Sequence, residues 1–431
     1  MPNCPRWKLP IELGTQRIGI FSDDFYPESG GVSRSIQLQL GQLVEAGHEV
    51  VLFVPEHRLS PPTVGQCVGL PQWRMPGTPS YLCSLPVSAK LARAIADRYR
   101  LDVVHSQNER GSIFLAAMVA KLLEVPHAHT FHSNYVGTHL TTPTVAALNT
   151  LTYLPWASKR LAKLVGREYT LRKDAARFGG RRGRGLADRD WFALARFASQ
   201  VDAFTSPAAY MVESIVAASD GSLTGRGQVV PSGVAEAFIE ARRERPRTRT
   251  TRFISVGRLN PDKRVDVIVD AFARLGDDNA ELVILGAGAT ERSLRRKAAQ
   301  VTHGRVRFLG QVDDPGQLAQ EIADADVFCL ASYHFDTQGM VLAEAAAAGT
   351  PILYCDERLA VGVSAENALL CGHSVPEFAA GMGELAADPA RRERMGAAGL
   401  RLVPGLTAQA MRDSYLAVYT ARPNTAVPSA E

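Results

Sequence analysis

Cysteine is scarce in this chain of 431 residues, and its six copies form no CxxC pair. They stand at Cys4, Cys67, Cys83, Cys329, Cys355 and Cys371. Several lie in short apolar runs, which favours reduced thiols in the core of a cytoplasmic protein over a disulfide framework. Long apolar runs are missing too, since none approaches the roughly 18 residues of a membrane-spanning helix. Because no basic-then-apolar leader precedes the first predicted strand, we expect neither export nor a transmembrane anchor.

A strong charge imbalance and a dinucleotide fingerprint are also lacking. The 48 basic and 44 acidic residues leave a net charge of +4, which does not by itself indicate nucleic acid. The sequence RRGRG at residues 181–185 has no interleaved aromatic side chains on which bases could stack. No GxGxxG sequence is present to support a nicotinamide cofactor, and His127, His129 and His139 have no cysteine or acid at a zinc-ligand spacing. We therefore expect no cofactor, no metal and no nucleic-acid partner.

Short apolar runs alternate with amphipathic helical stretches in both halves of the chain, the pattern of parallel sheets connected by helices. The runs that predict strands are residues 17–22, 49–54, 102–107, 126–131 and 201–206, then 252–257, 281–286, 305–310, 326–331 and 351–355. The charged stretch 241–251 separates the two series. The predicted fold class is α/β, with two doubly wound Rossmann-like domains facing each other across a cleft. Such sheets bind ligands at the carboxyl ends of their strands.

The segment DTQGMVLAEAAAAG is the strongest candidate site. It places two carboxylates, Asp336 and Glu344, eight residues apart across the predicted start of a helix. Between them Gly339, Met340 and Val341 offer backbone N–H groups, which at a helix N-terminus favour an anion such as a diphosphate. Carboxylates suit hydroxyl groups and amides suit phosphates, so the pattern indicates a nucleotide sugar. The alternative is an acidic residue that caps an Ala-rich helix.

Two loops between a strand and a helix carry further candidate residues. In SVGRLNPDK, Arg258 and Lys263 would project into the same cleft, where two cations beside helix amides can neutralise a leaving diphosphate without a metal. The alternative is a pair of solvated basic residues on a surface loop. In the first loop of the chain, Gly30 and Gly31 let the backbone approach a ligand closely, although a simple tight turn fits equally well.

With these residues the chain resembles the retaining glycosyltransferases of family 4, which have the two-domain GT-B fold. The resemblance covers about residues 17–420, and it is to diacylglycerol glucosyltransferase-like and mannosyltransferase-like members. The matching sequences are GGV at 30–32, AHTFHSNY at 128–135, VPSGV at 230–234, SVGRLNPDK at 255–263, LGAG at 285–288, FLGQV at 308–312 and DTQGMVLAEAAAAG at 336–349.

The resemblance implies a role for each site residue. In the family, the first acid of a Glu-x7-Glu pair holds hydroxyls of the donor sugar and the second holds the ribose, positions taken here by Asp336 and Glu344. It also implies that His132 lies near the anomeric centre, beside the donor's 6-hydroxyl, and positions the sugar. The implied catalytic residues are His132, Arg258, Lys263 and Asp336. The implied donor-binding residues are Gly30, Gly31, Gly257, Arg258, Lys263, Gly286, Val312, Asp336, Gly339, Met340, Val341 and Glu344.

Three positions depart from the family pattern. Asp336 stands where the family has Glu, so the carboxylate is retracted by one methylene, which bears on the sugar selected. Ser232 replaces the usual Asn and Ala289 the usual Pro, and neither change touches the expected chemistry.

The predicted mechanism is same-face substitution, because no second acid is evident as a nucleophile. The acceptor hydroxyl attacks as the diphosphate departs, and the leaving phosphate oxygen takes up its proton. This reaction retains the anomeric configuration and needs no metal. The donor is expected to be a UDP- or GDP-linked sugar.

The domain limits are predicted from the two series of strands and from the resemblance to the family. An acceptor-side domain takes residues 1–225 and carries a basic helical insertion near 140–195. A nucleotide-sugar-binding domain takes residues 226–405. Residues 406–422 are expected to form a helix that returns to the amino-terminal domain, and 423–431 to form a flexible tail.

The acceptor is the partner that the sequence indicates least clearly. Residues 159–184 hold ten basic residues against two acidic ones, and Trp156, Leu161, Leu164 and Val165 are interleaved at near-helical spacing. This pattern predicts an amphipathic surface on anionic lipid, with a solvated helix and a mobile Arg/Gly loop as the alternative. The basic residues assigned to the membrane are Lys159, Arg160, Lys163, Arg172, Lys173, Arg181 and Arg182.

DTQG and HTFHSNY resemble the diacylglycerol glucosyltransferases of the family, which favours a lipid acceptor and a peripheral location at the inner face of the membrane. The alternative acceptor is a soluble small molecule of specialised metabolism. Other classes stay open, because the same fold serves as an epimerase, a phosphorylase or a non-catalytic scaffold. No feature indicates the lysine-bound pyridoxal phosphate of a phosphorylase. The joint presence of Arg258, Lys263, Asp336, Glu344 and His132 argues against a silent scaffold.

Overall fold

The computed structural model describes residues 14–25, 30–56, 64–74, 83–166, 185–244 and 249–420. Its strands are β1 Arg17–Phe21, β2 Glu49–Pro55, β3 Gln66–Leu70, β4 Trp73–Arg74, β5 Cys83–Ser84, β6 Val103–Ser106, β7 His127–Thr130, β8 Ala203–Ser206, β9 Gly227–Val229, β10 Thr251–Val256, β11 Ala280–Leu285, β12 Arg305–Gly310, β13 Val327–Leu330, β14 Ile352–Tyr354 and β15 Ala368–Leu370. Its helices are α1 Gly31–Glu45, α2 Ala89–Tyr99, α3 Gly111–Leu123, α4 Tyr135–Thr141, α5 Pro143–Leu148, α6 Leu154–Val165, α7 Leu186–Ala198, α8 Ala209–Ala218, α9 Glu236–Glu240, α10 Val265–Leu275, α11 Glu291–Ala298, α12 Pro315–Ala323, α13 Met340–Ala347, α14 Val375–Ala387, α15 Pro389–Leu400 and α16 Ala408–Thr420.

Two parallel sheets form the framework. The first has seven strands in the order β3-β2-β1-β6-β7-β8-β9, and the second has six in the order β12-β11-β10-β13-β14-β15. Strands β2, β6 and β11 are buried along almost their whole length, as expected where helices cover both faces of a sheet, and their sequences are accordingly rich in apolar residues. The predicted α/β architecture with two doubly wound domains is confirmed.

The ten predicted strands are all present, each within two residues of its predicted ends. The short strands β4 and β5 were not predicted from the sequence, and neither were three edge strands, β3, β9 and β15. Their side chains are mostly exposed or half-buried, so they lack the continuous apolar run of a central strand. Strand β9 extends the first sheet to Val229, past the predicted boundary at residue 225. The domain limits as a whole stay a prediction.

The last helix, α16, packs on the first sheet although it follows the second sheet in the chain. Met411, Tyr415 and Tyr419 are buried in the same hydrophobic cluster as Ile20 and Leu40. The chain therefore crosses back after the second sheet, and its last helix packs against the amino-terminal half. No helix within the described ranges is long and apolar enough to cross a membrane.

Loops at the carboxyl ends of both sheets meet across the cleft. The Asn134 side chain, after β7, donates from Nδ2 to the carbonyl oxygens of His334 at 3.2 Å and Phe335 at 3.0 Å, in the loop after β13. Thr337 Oγ1 in turn donates to the His132 carbonyl oxygen at 2.7 Å. The carboxyl ends of the two sheets thus line one cleft, which is where doubly wound sheets bind ligands.

Candidate active site

Asp336 and Lys263 form an ion pair at the carboxyl edge of the second sheet. Lys263 lies in the loop after β10 and Asp336 in the loop after β13, and these strands are neighbours. The Lys263 ammonium donates to Asp336 Oδ1, while the buried Oδ2 has no hydrogen-bond partner in the described part of the chain. The Tyr210 hydroxyl, from the first domain, donates to the Asp336 carbonyl oxygen at 3.0 Å. The structure therefore leaves one carboxylate oxygen as an acceptor for a ligand hydroxyl.

Glu344 lies within α13, and its carboxylate is paired with a cation from the other domain. Arg34 of α1 donates from Nη2 to Glu344 Oε1, whereas the buried Oε2 has no hydrogen-bond partner among the described residues. Burial raises the pKa of Glu344, and the Arg34 guanidinium opposes that shift. Arg34 was not among the site residues predicted from the sequence. Its signal was its position in the first turn of the helix that follows the Gly30–Gly31 turn.

Two helix N-termini face each other beside these ion pairs. A Cβ on Gly31, the first residue of α1, would lie 3.3 Å from the sulfur of Met340, the first residue of α13. Gly30 with φ 67° and Gly339 with φ 69° precede the two helices in the left-handed conformation that favours glycine. Val341 continues the first turn of α13. The unpaired N–H groups and dipoles of two helix starts favour an anion between them.

A second pair of glycines brings two strand ends together. A Cβ on Gly286, after β11, would lie only 1.9 Å from the Gly257 carbonyl oxygen, after β10. Arg258 follows at once with a half-exposed side chain, its Nη2 3.9 Å from Asp262 Oδ2. Val312 packs against the hydrophobic cluster that supports α13. The glycines therefore fix the loop from which both Arg258 and Lys263 extend.

His132 is held in one orientation by a chain of amides that the sequence analysis missed. Its Nε2 lies 2.7 Å from Gln107 Oε1, and because that oxygen can only accept, Nε2 carries the proton. Gln107 Nε2 donates to Gln39 Oε1 at 2.8 Å, and Gln39 Nε2 donates to the Tyr419 hydroxyl at 2.9 Å. Burial, together with the nearby His129, lowers the pKa of His132 to about 3. His132 is therefore a neutral imidazole whose Nδ1 carries a lone pair.

The other histidines of this region have structural partners. His127 Nε2 and His129 Nδ1 each lie 2.8 Å from Ser106 Oγ, and His139 Nε2 lies 2.8 Å from Asp190 Oδ2. Over the described ranges, one group of residues has metal-ligand spacing, namely His334, Asp356 and Glu357. In that group Asp356 already accepts from the His334 N–H at 2.7 Å and from the Arg358 guanidinium.

Two acidic residues, Asp23 and Asp24, follow β1 at the carboxyl edge of the first sheet. Asp23 is fully buried and accepts from the N–H groups of Leu85 at 2.7 Å and Ser112 at 3.0 Å. Burial raises its pKa to about 6, although these N–H groups and Arg110 oppose the shift. Its neighbour Asp24 pairs with Arg110. Asp23 therefore joins the loop after β1 to the segments that hold Leu85 and Ser112.

The predicted basic insertion is described only in part. Arg172, Lys173, Arg181 and Arg182 lie outside the described residues. Lys159, Arg160 and Lys163 lie on the exposed side of α6. The prediction that Leu161, Leu164 and Val165 join Trp156 on a lipid-facing surface was wrong, because Leu161 is fully buried and the other two pack partly against the same core cluster. Trp156 is exposed, as predicted.

Two family models match adjacent parts of the chain. The model described as Glycosyltransferase Family 4 matches residues 29–237, and the model described as Glycosyl transferases group 1 matches residues 238–401. Their junction falls after the first sheet and before β10. The two matches together include every described residue assigned to the donor site.

Individual relatives agree with these models. An alpha-monoglucosyldiacylglycerol synthase of Streptococcus pneumoniae is 24% identical over 357 residues, 78% of this chain and 70% of that protein. A D-inositol 3-phosphate glycosyltransferase of Kribbella flavida is 30% identical over 179 residues, 38% of this chain and 42% of that protein. The solved structure of Anabaena HepE in complex with UDP and glucose superposes with a TM-score of 0.66 at 12% identity, over 94% of this chain and all of that one. At this identity the superposition shows the fold alone.

Proposed function

Because the chain belongs to the family-4 glycosyltransferases of GT-B fold, we propose that it moves a sugar from a nucleotide-diphosphate sugar, UDP- or GDP-linked, to a lipid hydroxyl with retention of configuration. The observation that carries this proposal is the pair of carboxylates, Asp336 and Glu344, set on either side of a helix N-terminus with one unpaired oxygen each. Hydroxyls of the donor sugar would bind Asp336, and the ribose would bind Glu344. The diphosphate would lie between them at the start of α13.

The proposed reaction is a same-face substitution. A bond forms between the acceptor oxygen and the anomeric carbon on the face from which the bond to the phosphate oxygen breaks. The acceptor proton passes to that departing oxygen, and the negative charge spreads over the diphosphate. Arg258, Lys263 and the amides after Gly339 would stabilise this charge, so the reaction would need no metal and no cofactor.

The neutral state of His132 fits this reaction. An imidazolium beside the anomeric carbon would oppose the positive charge that a sugar ring acquires as its leaving group departs. The pKa of His132 is instead lowered to about 3, so the ring is uncharged at neutral pH. Gln107 fixes which ring nitrogen bears the proton, and Nδ1 is left as an acceptor for a donor-sugar hydroxyl.

The acceptor is proposed to be a lipid, and the membrane an anionic one. The similarity to an alpha-monoglucosyldiacylglycerol synthase supports this, as do Lys159, Arg160 and Lys163 on the exposed side of α6. Arg172, Lys173, Arg181 and Arg182 belong to the same proposal from their sequence position alone. The free thiols of Cys67, Cys329, Cys355 and Cys371 support the cytoplasmic face of that membrane.

A soluble small-molecule acceptor is the second candidate. It is favoured by the similarity to a D-inositol 3-phosphate glycosyltransferase, a match that covers less than half of that protein. Nucleotide-sugar epimerisation and a non-catalytic role are different classes, and both predict that no nucleoside diphosphate is released.

The test is release of free UDP or GDP from a panel of nucleotide sugars, with diacylglycerol or a polar lipid extract dispersed in detergent, or with inositol phosphates. Release that depends on lipid, with α-anomeric product from an α-linked donor, is expected. Lys263→Ala should lower turnover by about a hundredfold, as loss of one stabilising donor commonly does. Lys297→Ala, which removes an exposed ion pair with Asp270, is the matched control. Release only with inositol phosphates would favour the second candidate, and no release would exclude transfer.

A further inference from the structure

The exposed large apolar side chains of the described residues are concentrated in one short segment. Ten such side chains are exposed, and five of them lie between positions 140 and 156. They are Leu140, Val145, Leu148, Leu151 and Trp156, with exposed fractions of 64%, 67%, 64%, 51% and 52%. We name this set the apolar face. A soluble surface rarely groups its large apolar side chains so closely, and such patches mark docking sites.

The apolar face belongs to a firmly packed element. The helical conformation runs without a break from α5 through the π-helical segment Asn149–Tyr153 to α6. Its inner side is fully buried against α3 and α7 through Leu154, Ala157 and Leu161. The exposed apolar residues therefore lie on a helix whose opposite side is packed into the core.

Polar contacts hold the same scaffold to the rest of the domain. The Tyr153 hydroxyl donates to the Glu109 carbonyl oxygen at 3.0 Å. Buried Asp190 of α7 accepts from Thr150 Oγ1 at 2.5 Å and lies 2.8 Å from His139 Nε2, so it joins α4 to the π-helical segment. Helix α4, which carries Leu140, is therefore fixed against the continuous helix that carries Leu148 and Leu151.

Charge around the apolar face favours an anionic partner. Residues 135–166 contain no Asp or Glu. The outer side of the helix changes from apolar at Leu148 to basic at Lys159, Arg160 and Lys163. The Arg160 guanidinium lies over the Trp156 ring, 5.2 Å from its centroid, so a cation and an aromatic ring meet where the two zones join. Apolar side chains beside tryptophan and basic residues are the composition that binds the headgroup region of an anionic bilayer.

Helix α4 connects this surface to the active-site cleft. It begins after Asn134, whose Oδ1 accepts from the Gly137 N–H at 2.9 Å and whose Nδ2 reaches the loop that carries Asp336. It ends at Thr141, beside Leu140 of the apolar face. A bilayer that contacts the apolar face would therefore lie one short helix away from His132.

We propose that the apolar face inserts shallowly into an anionic bilayer, and that insertion, more than attraction of the basic residues, holds the protein at its lipid acceptor. The occupant is a membrane surface, with Lys159, Arg160 and Lys163 at its headgroups. The biological purpose of this contact rests on the proposed function, but the observations above do not. The proposal goes beyond the basic residues of the insertion, because it assigns most of the affinity to side chains that salt does not screen.

The test is co-sedimentation with vesicles of phosphatidylcholine and phosphatidylglycerol at low and high salt. The variant Leu140→Ser/Val145→Ser/Leu148→Ser removes the three most exposed apolar side chains. Its matched control, Leu122→Ser/Leu370→Ser/Leu400→Ser, makes the same kind of change at exposed leucines elsewhere. The apolar-face variant should bind at least about tenfold more weakly at both salt concentrations, since each inserted aliphatic side chain contributes transfer free energy. The control should bind like the wild type.

A second measurement does not depend on whether the apolar-face variant folds. Trp156 fluorescence should be quenched by brominated lipid in the wild type, and that quenching should disappear in Trp156→Phe. Equal sedimentation of wild type and apolar-face variant, equal loss in the control, or wild-type binding that high salt abolishes would each overturn the proposal.

Nucleoside diphosphate release with detergent-dispersed lipid separates this proposal from the proposed function. If vesicle binding depends on the apolar face while no lipid is glycosylated, the docking proposal is supported and the proposal of a lipid acceptor is refuted. If lipid is glycosylated equally by all variants and none of them differs in vesicle binding, the docking proposal is refuted and the proposal of a lipid acceptor is supported.

Discussion

Asp336 and Glu344 are both engaged by cations, yet each keeps one unpaired carboxylate oxygen. Since the ribose belongs to the nucleotide itself, Glu344→Ala should weaken binding of free UDP or GDP by about tenfold or more. Asp336→Ala should leave that affinity near the wild-type value and lower turnover by about a hundredfold, because the sugar contact proposed for Asp336 acts in transfer. Calorimetry with the free nucleotide and turnover with the donor separate the two roles. Asp270→Ala on α10 serves as control, and equal loss of nucleotide affinity in both variants would contradict the assignment.

Gln107 fixes which ring nitrogen of His132 bears the proton, while burial keeps the ring neutral. Placing a carboxylate at this position in Gln107→Glu should therefore give the enzyme a new pH dependence. In the wild type the pKa of His132 is about 3, and no histidine limb is expected in kcat/KM between about pH 5 and 8. A carboxylate beside Nε2 favours the imidazolium and raises that pKa, so the charged fraction grows as pH falls. Activity should therefore drop with falling pH in Gln107→Glu.

The measurement for Gln107→Glu is a kcat/KM profile together with an NMR titration of the His132 ring. Gln107→Ala removes the hydrogen bond without adding charge, so it should lower activity at every pH without a new limb. A Gln107→Glu profile that runs parallel to the wild type would show that His132 does not act through its charge state.

The contact between the ends of β10 and β11 leaves no room for a side chain. At Gly286 a Cβ would lie 1.9 Å from the Gly257 carbonyl oxygen, and φ is 129°. Gly286→Ala should lower the free energy of unfolding by about 2 kcal/mol or more and displace the loop that carries Arg258 and Lys263. Gly310→Ala isolates the backbone effect, because its φ is 74° and nothing lies within 4 Å of its Cβ position. Thermal unfolding and UDP binding are the measurements, and equal effects of the two substitutions would refute a steric contact.

Elements were predictable where burial imposes an uninterrupted pattern. A central parallel strand such as β11 is buried on both faces, so its apolar sequence is sufficient to predict it. Edge strands such as β9 have partly exposed residues and carried no such signal. In α6 the basic residues obscured the helix orientation, because Leu161 faces the core while Trp156 faces outward. Helical spacing shows that two faces exist, but the neighbouring helices decide which one is buried.

At the scale of the whole molecule, the residues proposed to bind the donor could be predicted from the sequence, whereas their partners from the other domain could not. Asp336, Glu344, Lys263 and His132 stand in recognisable local sequences. Arg34 reaches Glu344 across 310 positions of chain, a contact that only the docking of two domains creates. Local spacing carries no information about such pairs, whereas the order of strands and helices does predict that two sheets will face one cleft.

Gly137 lies where α4 meets the second domain, and it tests how closely the two domains must approach. A Cβ there would lie 2.6 Å from the His334 carbonyl oxygen and 3.0 Å from Phe335 Cα. Because backbone atoms yield less than a side-chain tip, Gly137→Ala should separate the domains and enlarge the radius of gyration in small-angle X-ray scattering. Turnover should fall by about tenfold or more, since the reacting groups come from both sides of the cleft.

The affinity of Gly137→Ala for free UDP should fall much less than turnover, because the nucleotide contacts assigned to Glu344 and α13 lie within the second domain and only those of Gly30 and Gly31 come from the first. Gly405→Ala is the matched control, with nothing within 4 Å of its Cβ position. Turnover lost together with UDP affinity would point to a collapsed donor site instead of a widened cleft. Unchanged scattering and unchanged turnover would mean that α4 yields, and that close approach of the domains at Gly137 does not limit transfer.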